Sequence, residues 1–360
     1  MIKALILFIL FSGTISAQRA DTLRMLFLGD IMQHKEQLEA ALIQTSIPGK
    51  RSPAEPASYN YSSYFSHLKS YFEKADIVGA NMETTFAPPP FAGYPAFRSP
   101  GSLAAECVKS GINLMFAANN HSADAGSAGL RGSIETYEKL EVPYTGIYRS
   151  GEDEELLNPL IIEKRGFKIA FLNYTYGTNG IRTPLPFIIK RLTSAEVEKD
   201  LDLARSKSVD LICAAVHWGE EYMTEPGEYQ LKWERELYSK GVDIIIGSHP
   251  HVPQDVAVYR DSAGKISKIT AYSLGNAISN MTAKNTRIGV MLEIAVTRDS
   301  TGKREICEPQ KHLIWTVRPT LKGENYSILP IKDYLTNSQT KGKLREHDLI
   351  LNYYKQFNKE

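Results

Sequence analysis

The sequence predicts an α/β fold, in which buried strands alternate with helices around one core. Short apolar runs rich in β-branched residues recur along the first 251 residues, as expected for strands that are buried on both faces. The stretches between these runs carry apolar residues at helical spacing, and several end in glycine, a common helix stop. Hydrophobic residues make up 42% of the chain, which is enough for a sizeable core.

The individual elements follow from this pattern in chain order. The predicted strands cover residues 22–30, 75–83, 113–121, 168–175, 210–219 and 243–251. The predicted helices cover residues 62–75, 102–111, 129–140, 193–207 and 230–241, with a polar helix near 341–358. The later apolar runs have no helices between them and predict antiparallel strands at 268–276, 289–296, 313–317 and 326–330.

The charge and the cysteine content exclude several classes of protein. The chain has 42 basic and 41 acidic residues and a net charge of +1, without the dense basic stripe of a nucleic-acid-binding protein. We therefore expect no nucleic-acid partner. The three cysteines (Cys107, Cys213 and Cys307) have no metal-type spacing and provide no disulfide framework. We therefore expect them to serve as small, buried apolar residues.

The first 17 residues have the form of a secretory signal peptide. Lys3 precedes an apolar stretch over residues 4–11, and small residues then lead to Ala17, where cleavage is expected. The stretch is too short to span a bilayer comfortably, which disfavours the alternative of an uncleaved anchor. The sequence thus predicts a secreted protein, periplasmic or at the cell surface, with a signal peptide over 1–17, a main domain over 18–330 and a C-terminal helical extension over 331–360.

Polar side chains stand at the ends of five predicted strands. They are Asp30, Glu83, Asn120, His217 and His249. In an open α/β sheet the carboxyl ends of the strands meet at one crevice, where ligands bind. Each residue alone has an ordinary structural explanation, such as a helix cap, a turn or a salt bridge. Their coincidence favours a functional site.

Two histidines separated by one residue, His249 and His251, indicate what that site binds. In extended backbone the side chains i and i+2 point to the same side, so both imidazoles can reach one metal ion or two adjacent ions. Carboxylates, an amide oxygen and imidazoles, without thiolates, suit manganese, iron or zinc. Two such ions, roughly 3.5 to 4 Å apart, can activate water and polarise a phosphoryl or acyl oxygen. The residues themselves thus allow either one divalent ion or two adjacent ones.

His121 is the predicted catalytic proton donor. It follows Asn120 directly, so its ring is expected to face the substrate and to protonate a leaving group. Asp124 lies three residues further on and would hold the ring of His121 if that segment turns as a helix does. A helix cap or a turn is an equally good role for Asp124.

Eight short motifs occur in order between about residues 23 and 296: GDIMQH (29–34), NMETTF (81–86), GYPAFRSP (93–100), ANNHSADAG (118–126), LNYTYGTNG (172–180), HWGEEY (217–222), GSHPHV (247–252) and YSLGN (272–276). Together they resemble the CapA family, which is named for poly-γ-glutamate capsule synthesis. That family is similar to the calcineurin-like metallophosphoesterases. The resemblance therefore implies a four-layer α/β/β/α sandwich of the metallophosphoesterase type with a two-metal centre.

The resemblance also implies roles for particular residues. It implies His121 as the catalytic histidine and, as metal ligands, Asp30, Glu83, Asn120, His217, His249 and His251. Glu83 takes the place of the superfamily's bridging aspartate, unless Asn81 takes it instead. Met32 stands where the superfamily has a histidine, so His34 or a solvent molecule would complete that metal. Ala277, and residues 287–289 in place of an acidic DGG, change the expected shape and charge of the substrate pocket.

Two segments are expected to line the substrate cleft. The sequence has two proline-rich loops, at 48–61 and 87–100, and the second of them is one of these segments. The other is the segment 172–180. Arg98 fits a carboxylate or a phosphate, because a guanidinium fork binds either group. The further candidate contacts are Tyr94, Phe97, Tyr174, Tyr176 and Asn179. Packing of aromatic residues in turns, and an exposed structural role for Arg98, are the alternatives.

Two functional hypotheses follow. The first is a secreted metal-dependent hydrolase that cleaves a phosphoester or a γ-glutamyl amide in cell-surface or capsular polymer metabolism. The second is a non-catalytic component of poly-γ-glutamate synthesis or export that binds the anionic polymer. Capsule-synthesis membrane proteins are expected partners in either case. Loss of turnover on His121 replacement, with the metals retained, separates the two.

Overall fold

The computed structural model describes residues 22–42, 52–299 and 301–358. The predicted signal peptide over residues 1–17 lies outside these residues. Within the described part of the chain, no helix is both long enough and apolar enough to cross a membrane.

The described residues contain nineteen strands. They are β1 (Leu23–Ile31), β2 (Ile77–Met82), β3 (Thr85–Phe86), β4 (Arg98–Ser99), β5 (Leu114–Phe116), β6 (Tyr144–Thr145), β7 (Ile147–Tyr148), β8 (Leu160–Lys164), β9 (Phe167–Thr175), β10 (Ile188–Ile189), β11 (Leu211–His217), β12 (Ile244–Ser248), β13 (Val256–Arg260), β14 (Ile266–Ala271), β15 (Asn276–Ile278), β16 (Ile288–Arg298), β17 (Arg304–Ile306), β18 (Gln310–Val317) and β19 (Ser327–Pro330).

The α-helices lie mostly between the parallel strands. They are α1 (Lys35–Ala41), α2 (Lys69–Phe72), α3 (Ser102–Ser110), α4 (Gly126–Lys139), α5 (Gly151–Leu157), α6 (Ser194–Ser206), α7 (Glu228–Ser239), α8 (Ile331–Thr336) and α9 (His347–Phe357), and a short 3-10 helix covers Pro56–Ser58.

One large mixed sheet runs through the molecule and folds back on itself. Its strand order is β6-β5-β2-β1-β16-β17-β14-β12-β11-β9-β8. In one half, β1 is parallel to β2 and antiparallel to β16. In the other half, β11 is parallel to both β9 and β12. Strand β17 pairs with β16 and with β14, so it joins the two halves.

The inner faces of the two halves pack against each other. Phe116 lies between Phe27 and Phe171, with ring centroids 6.3 and 6.4 Å away. Strand β1 is apolar throughout because both of its faces are buried. Phe27 belongs to this inner core, whereas its neighbours Leu26 and Leu28 point the other way, into the outer core beneath α3 and α4. Helices α6 and α7 cover the outer face of the other half. The predicted four-layer α/β/β/α sandwich is confirmed.

Gly29 allows β1 to pass close to the strand that follows Gly275. A Cβ atom on Gly29 would lie 1.8 Å from the carbonyl oxygen of Gly275, and that oxygen accepts a hydrogen bond from the backbone N–H of Asp30 at 3.0 Å. This approach brings Asp30 level with Asn276, its register partner on β15. A side chain at position 29 would therefore push apart two strands that carry polar residues of the predicted site.

We expect Gly29→Ala to lower the free energy of unfolding by about 3 kcal/mol, at the upper end of the cost of overpacking a core. Urea denaturation measures this change. Gly151→Ala is the matched control, because a Cβ atom at Gly151 meets nothing within 4 Å. Equal destabilisation by the two substitutions would contradict the steric explanation.

Three expectations about the elements need correction. Most of the predicted helix over 62–75 consists of turns, and α2 is confined to Lys69–Phe72. Strand β14 is antiparallel to β13 and β17, as expected, but it also pairs in parallel with β12. The segment 331–360 is less polar than expected: it contains two helices, and Ile331, Tyr334 and Ile350 are buried in the inner core. Each error arises because tertiary packing, which local sequence does not reveal, decides the outcome.

Candidate metal centre and active site

The carboxyl ends of the strands bring the predicted ligands together. Asp30 lies near the end of β1, Glu83 follows β2, Asn120 follows β5, His217 ends β11 and His249 follows β12. All five side chains are buried. The sheet thus gathers polar groups from distant parts of the sequence at one edge, as predicted.

Two groups of these side chains have metal-ligand geometry. In one group Asp30, Glu83 and His217 offer ligand atoms that all lie within 4.8 Å of one another. In the other group, the ligand atoms of Glu83, His249 and His251 likewise lie within 4.8 Å of one another. Glu83 is common to both groups, so its carboxylate is placed to bridge two ions, and nitrogen with oxygen donors suits borderline divalent metals.

Glu83 provides a direct test of whether the site fits metal ions. Its side chain is fully buried, and neither carboxylate oxygen has a hydrogen-bond partner among the described residues. The nearest ring nitrogens are Nε2 of His217 at 3.5 Å and Nε2 of His251 at 3.8 Å. Burial and the adjacent Asp30 carboxylate raise the pKa of Glu83 well above its usual range. A buried carboxylate is unfavourable unless a cation compensates its charge, so Glu83 fits a bridging ligand.

His217 and His249 are held in the neutral form that binds metals. Burial and the neighbouring His249 lower the pKa of His217 well below its usual range. Burial and the neighbouring His251 lower the pKa of His249 to about 3. Nδ1 of His249 is buried without a hydrogen-bond partner in the described structure. Its lone pair is therefore available to a metal ion.

The hydrogen bonds of His251 determine which ring nitrogen faces the metal site. Nδ1 lies 3.1 Å from Oδ2 of Asp30 and 3.0 Å from Oδ1 of Asn276. The side-chain amide of Asn276 donates to the carbonyl of Thr286 at 2.9 Å, which fixes its oxygen towards His251. Nδ1 of His251 therefore carries the proton, and Nε2 presents a lone pair towards Glu83.

The turn geometry after β12, rather than strand alternation, directs His249 and His251 inward. The strand ends at Ser248, and the two histidines have φ angles of 99° and 59°. Such left-handed conformations are strained for residues other than glycine and concentrate at functional sites. The expectation of an extended strand through His251 was wrong, although the two rings do converge, with centroids 6.0 Å apart.

The structure gives Asn81 and His34 roles outside the ligand groups. The side-chain amide of Asn81 donates to Oδ1 of Asp30 at 2.7 Å, so Asn81 orients a ligand. His34 belongs to neither group, and its Nδ1 lies 3.2 Å from the backbone N–H of Asn280. Burial lowers the pKa of His34 to about 4. Met32 is buried and, like His34, belongs to neither ligand group found among the described residues.

Asn120 and His121 face the site together. Oδ1 of Asn120 lies 2.9 Å from Nε2 of His217. Nδ1 of His121 lies 2.8 Å from Oδ2 of Asp124. The same oxygen accepts a hydrogen bond from the backbone N–H of Phe97 at 2.7 Å. Asp124 therefore holds the imidazole, as the sequence predicts.

Phe97 completes the support of His121. Its ring packs edge-on against the ring of His121, with centroids 4.6 Å apart, and its side chain is fully buried. With Nδ1 bound to Asp124, the free ring nitrogen of His121 is Nε2. His121 and His251 both line a cleft of about 550 Å³. This arrangement suits proton transfer at a group bound in the cleft.

The predicted substrate residues occupy different places. Tyr176 is 39% exposed, and its ring lies 4.7 Å from the ring of His249, so it borders the site. Tyr174 does not: it is fully buried and its hydroxyl donates to Asp200 at 2.9 Å, on the helix-covered face of the sheet. The guanidinium of Arg98 lies 3.4 Å from the carbonyl of Pro88, outside the cleft lining. Asn179 is an exposed turn residue with a φ of 49°.

Among solved structures, two similar chains are nucleotidase- or phosphoesterase-like proteins. The Haemophilus influenzae NAD nucleotidase NadN aligns with 93% of this chain and 60% of its own, at 13% identity and a TM-score of 0.46. The Bacillus subtilis calcineurin-like phosphoesterase YfkN aligns with 93% of this chain and 99% of its own, at 13% identity and a TM-score of 0.44.

Curated relatives and a family match concern capsule synthesis. The chain is 24% identical over 285 residues to the capsule biosynthesis protein CapA of Bacillus anthracis. This alignment covers 75% of this chain and 66%, just under two thirds, of the relative. It is 23% identical over 317 residues to the PGA biosynthesis protein CapA of Bacillus subtilis strain 168, covering 84% and 77%. Residues 24–281 match the family described as bacterial capsule synthesis protein PGA_cap. The chain belongs to this bacterial capsule synthesis protein family.

Proposed function

We propose that this protein is a metal-dependent hydrolase that acts in capsular or cell-surface polymer metabolism on a phosphoester or a γ-glutamyl substrate. The supporting observation is the hydrogen-bonded pair of His121 and Asp124 beside the ligand Asn120. A protein that only binds a polymer has no need of an oriented proton donor next to its metal ligands.

The residues that would hold two divalent ions are Asp30, Glu83, Asn120, His217, His249 and His251. Manganese, iron and zinc all suit this donor set. When bound, such ions supply a nucleophile from water near neutral pH and polarise the scissile group. Asn81 and Asn276 keep two of the ligands in place, through Asp30 and His251 respectively.

His121 supplies the proton. As the bond to the leaving group breaks, the proton passes from Nε2 of His121 to the departing oxygen or nitrogen, which leaves as an alcohol or an amine. The donating form of His121 is the imidazolium, which carries a proton on each ring nitrogen. Its Nδ1–H donates to the Asp124 carboxylate, which orients the ring and compensates its charge, while the proton on Nε2 is the one transferred. Phe97 restricts rotation of the ring by packing against it.

We further propose that the chain is exported and works at the cell surface, where capsule-synthesis membrane proteins would be its partners. The signal-peptide pattern of residues 1–17 supports this proposal. Sequencing the N-terminus of the protein recovered from the cell envelope is expected to give Gln18 as the first residue. Recovery of the uncleaved chain from the cytoplasm would contradict it.

We expect His121→Ala to lower kcat by a factor of about 10² to 10⁴, the usual contribution of general acid catalysis, with both metal ions retained. Steady-state kinetics on phosphoester and γ-glutamyl substrates, with elemental mass spectrometry on the same samples, measures both quantities. Asp124→Asn should give a smaller loss, because it leaves the imidazole present but poorly oriented.

The contrary result is equally clear. If the metal-loaded wild type turns over neither class of substrate, or if His121→Ala keeps full activity, the hydrolase proposal fails. Tight binding of poly-γ-glutamate without turnover would then favour the non-catalytic alternative.

A further inference from the structure

Three partly exposed tyrosines lie beside the candidate site. Tyr94, Tyr176 and Tyr222 are 75%, 39% and 44% exposed, although large aromatic side chains are usually buried. They come from three separate segments of the chain. Tyr94 and Tyr222 line the cleft together with His121 and His251.

Tyr176 and Tyr222 pack against predicted metal ligands, and Tyr94 packs against the residue that supports His121. The ring of Tyr176 lies 4.7 Å from that of His249, and the ring of Tyr222 lies 6.5 Å from that of His251. Tyr94 packs against Phe97, at 6.3 Å, which in turn contacts His121. These three exposed aromatic side chains therefore lie where a bound substrate would extend beyond the metal-binding residues.

The charges at the same rim restrict the substrate further. Glu36 and Glu221 line the cleft, and the cation beside them, Lys35, lies 3.7 Å from the carboxylate of Glu39. Ionised carboxylates accept hydrogen bonds from hydroxyl groups, but they repel a polyanion. The metal centre attracts one anionic group, whereas its surroundings favour a neutral part rich in hydroxyl groups.

We propose that the substrate is a sugar phosphoester, whose phosphate binds at the metal centre while its ring contacts the tyrosines. Aromatic faces pack against the C–H faces of a ring, and the rim carboxylates accept hydrogen bonds from its hydroxyls. Hydrolysis breaks the P–O bond to the sugar and joins the oxygen of water to phosphorus. His121 donates a proton to the sugar oxygen, and the products are the free sugar and phosphate. This proposal rests on the proposed hydrolase function.

Binding and turnover are measured separately on the manganese-loaded protein, so that the two proposals are tested independently. Calorimetry compares a hexose 1-phosphate with ethyl phosphate, AMP and an oligo-γ-glutamate, and phosphate or amine release measures kcat/KM for each. We expect the hexose phosphate to bind at least about tenfold more tightly than ethyl phosphate, since it adds ring contacts. It should also be the preferred substrate.

Substitutions at the rim test the role of the tyrosines. Tyr94→Ala and Tyr222→Ala should each weaken hexose phosphate binding by roughly threefold to tenfold, while Tyr94→Phe and Tyr222→Phe keep most of it. The matched control is Tyr229→Ala, because Tyr229 is 42% exposed on α7 and is not among the residues that line the cleft.

The outcomes are distinct. Equal binding of ethyl phosphate and hexose phosphate, tighter binding of AMP or oligo-γ-glutamate, or wild-type binding by both alanine variants would overturn the sugar proposal. Selective binding of the hexose phosphate without turnover of any compound would uphold the sugar specificity and overturn the hydrolase proposal.

Discussion

We expect Glu83→Gln to abolish binding of both metal ions. Glu83 belongs to both groups of ligand atoms, so its loss removes one donor from each ion at once. The amide of glutamine is neutral and can present only one oxygen, which neither bridges two cations nor compensates their charge. Hydrolase activity should disappear with the metals, and elemental mass spectrometry measures the loss directly.

The same substitution should have opposite effects on stability with and without metal. In a chelator, Glu83→Gln should unfold at or above the wild-type temperature, because it removes a buried carboxylate that lies beside Asp30 and has no hydrogen-bond partner among the described residues. At a metal concentration 100 times the Kd of each site, the wild type should gain about 2.7 kcal/mol, or roughly 4 °C in Tm, for each of the two ions, and the variant nothing.

Glu221→Gln serves as the control, since Glu221 lies at the exposed rim of the cleft and belongs to neither ligand group. It should keep both metals and the metal-dependent rise in Tm. If Glu83→Gln retained two equivalents of metal, Glu83 would not be the bridging ligand.

The clustering of the candidate ligands was predictable, because parallel strands place their carboxyl ends at one edge. Asp30, Glu83 and His217 could be chosen simply by their positions after apolar runs. The side chains that orient these residues could not be predicted from the sequence. Asn81 and Asn276 act through side-chain amides, whose contacts depend on which distant loop reaches them and leave no periodic signal in the sequence.

The sequence did contain a signal, the alternation along β9, that separates Tyr174 from Tyr176. Along β9 the residues Phe167, Ile169 and Phe171 face the inner core, while Leu172 and Tyr174 face the helices. Period-two alternation therefore assigns Tyr174 to the covered face. Tyr176 lies beyond the end of the strand, where alternation no longer applies, and the turn brings its ring over His249.

A buried charge network behind this turn is the basis of the largest expected loss of stability. The side chain of Lys190 is 2% exposed, and its ammonium lies 2.6 Å from Glu154 and 3.1 Å from Asp200. Asp200 also accepts hydrogen bonds from Asn158 and from Tyr174. Removing the lysine charge would leave the carboxylates of Glu154 and Asp200, which are 11% and 0% exposed, and that of Glu196, at 3.4 Å from the ammonium, without their buried cation.

We expect Lys190→Met to lower the free energy of unfolding by about 3–5 kcal/mol, the cost of breaking a buried ion pair by removing one partner. Lys199→Met is the matched control, because Lys199 lies 3.7 Å from the same Glu154 carboxylate but is 50% exposed. An exposed pair contributes at most about 1 kcal/mol. Urea denaturation of both variants measures the difference, and equal losses would mean that burial does not set the strength of this network. The backbone carbonyl of Lys190 accepts from Thr175 at 3.0 Å, so a large loss should also disturb Tyr176 and weaken binding in the cleft.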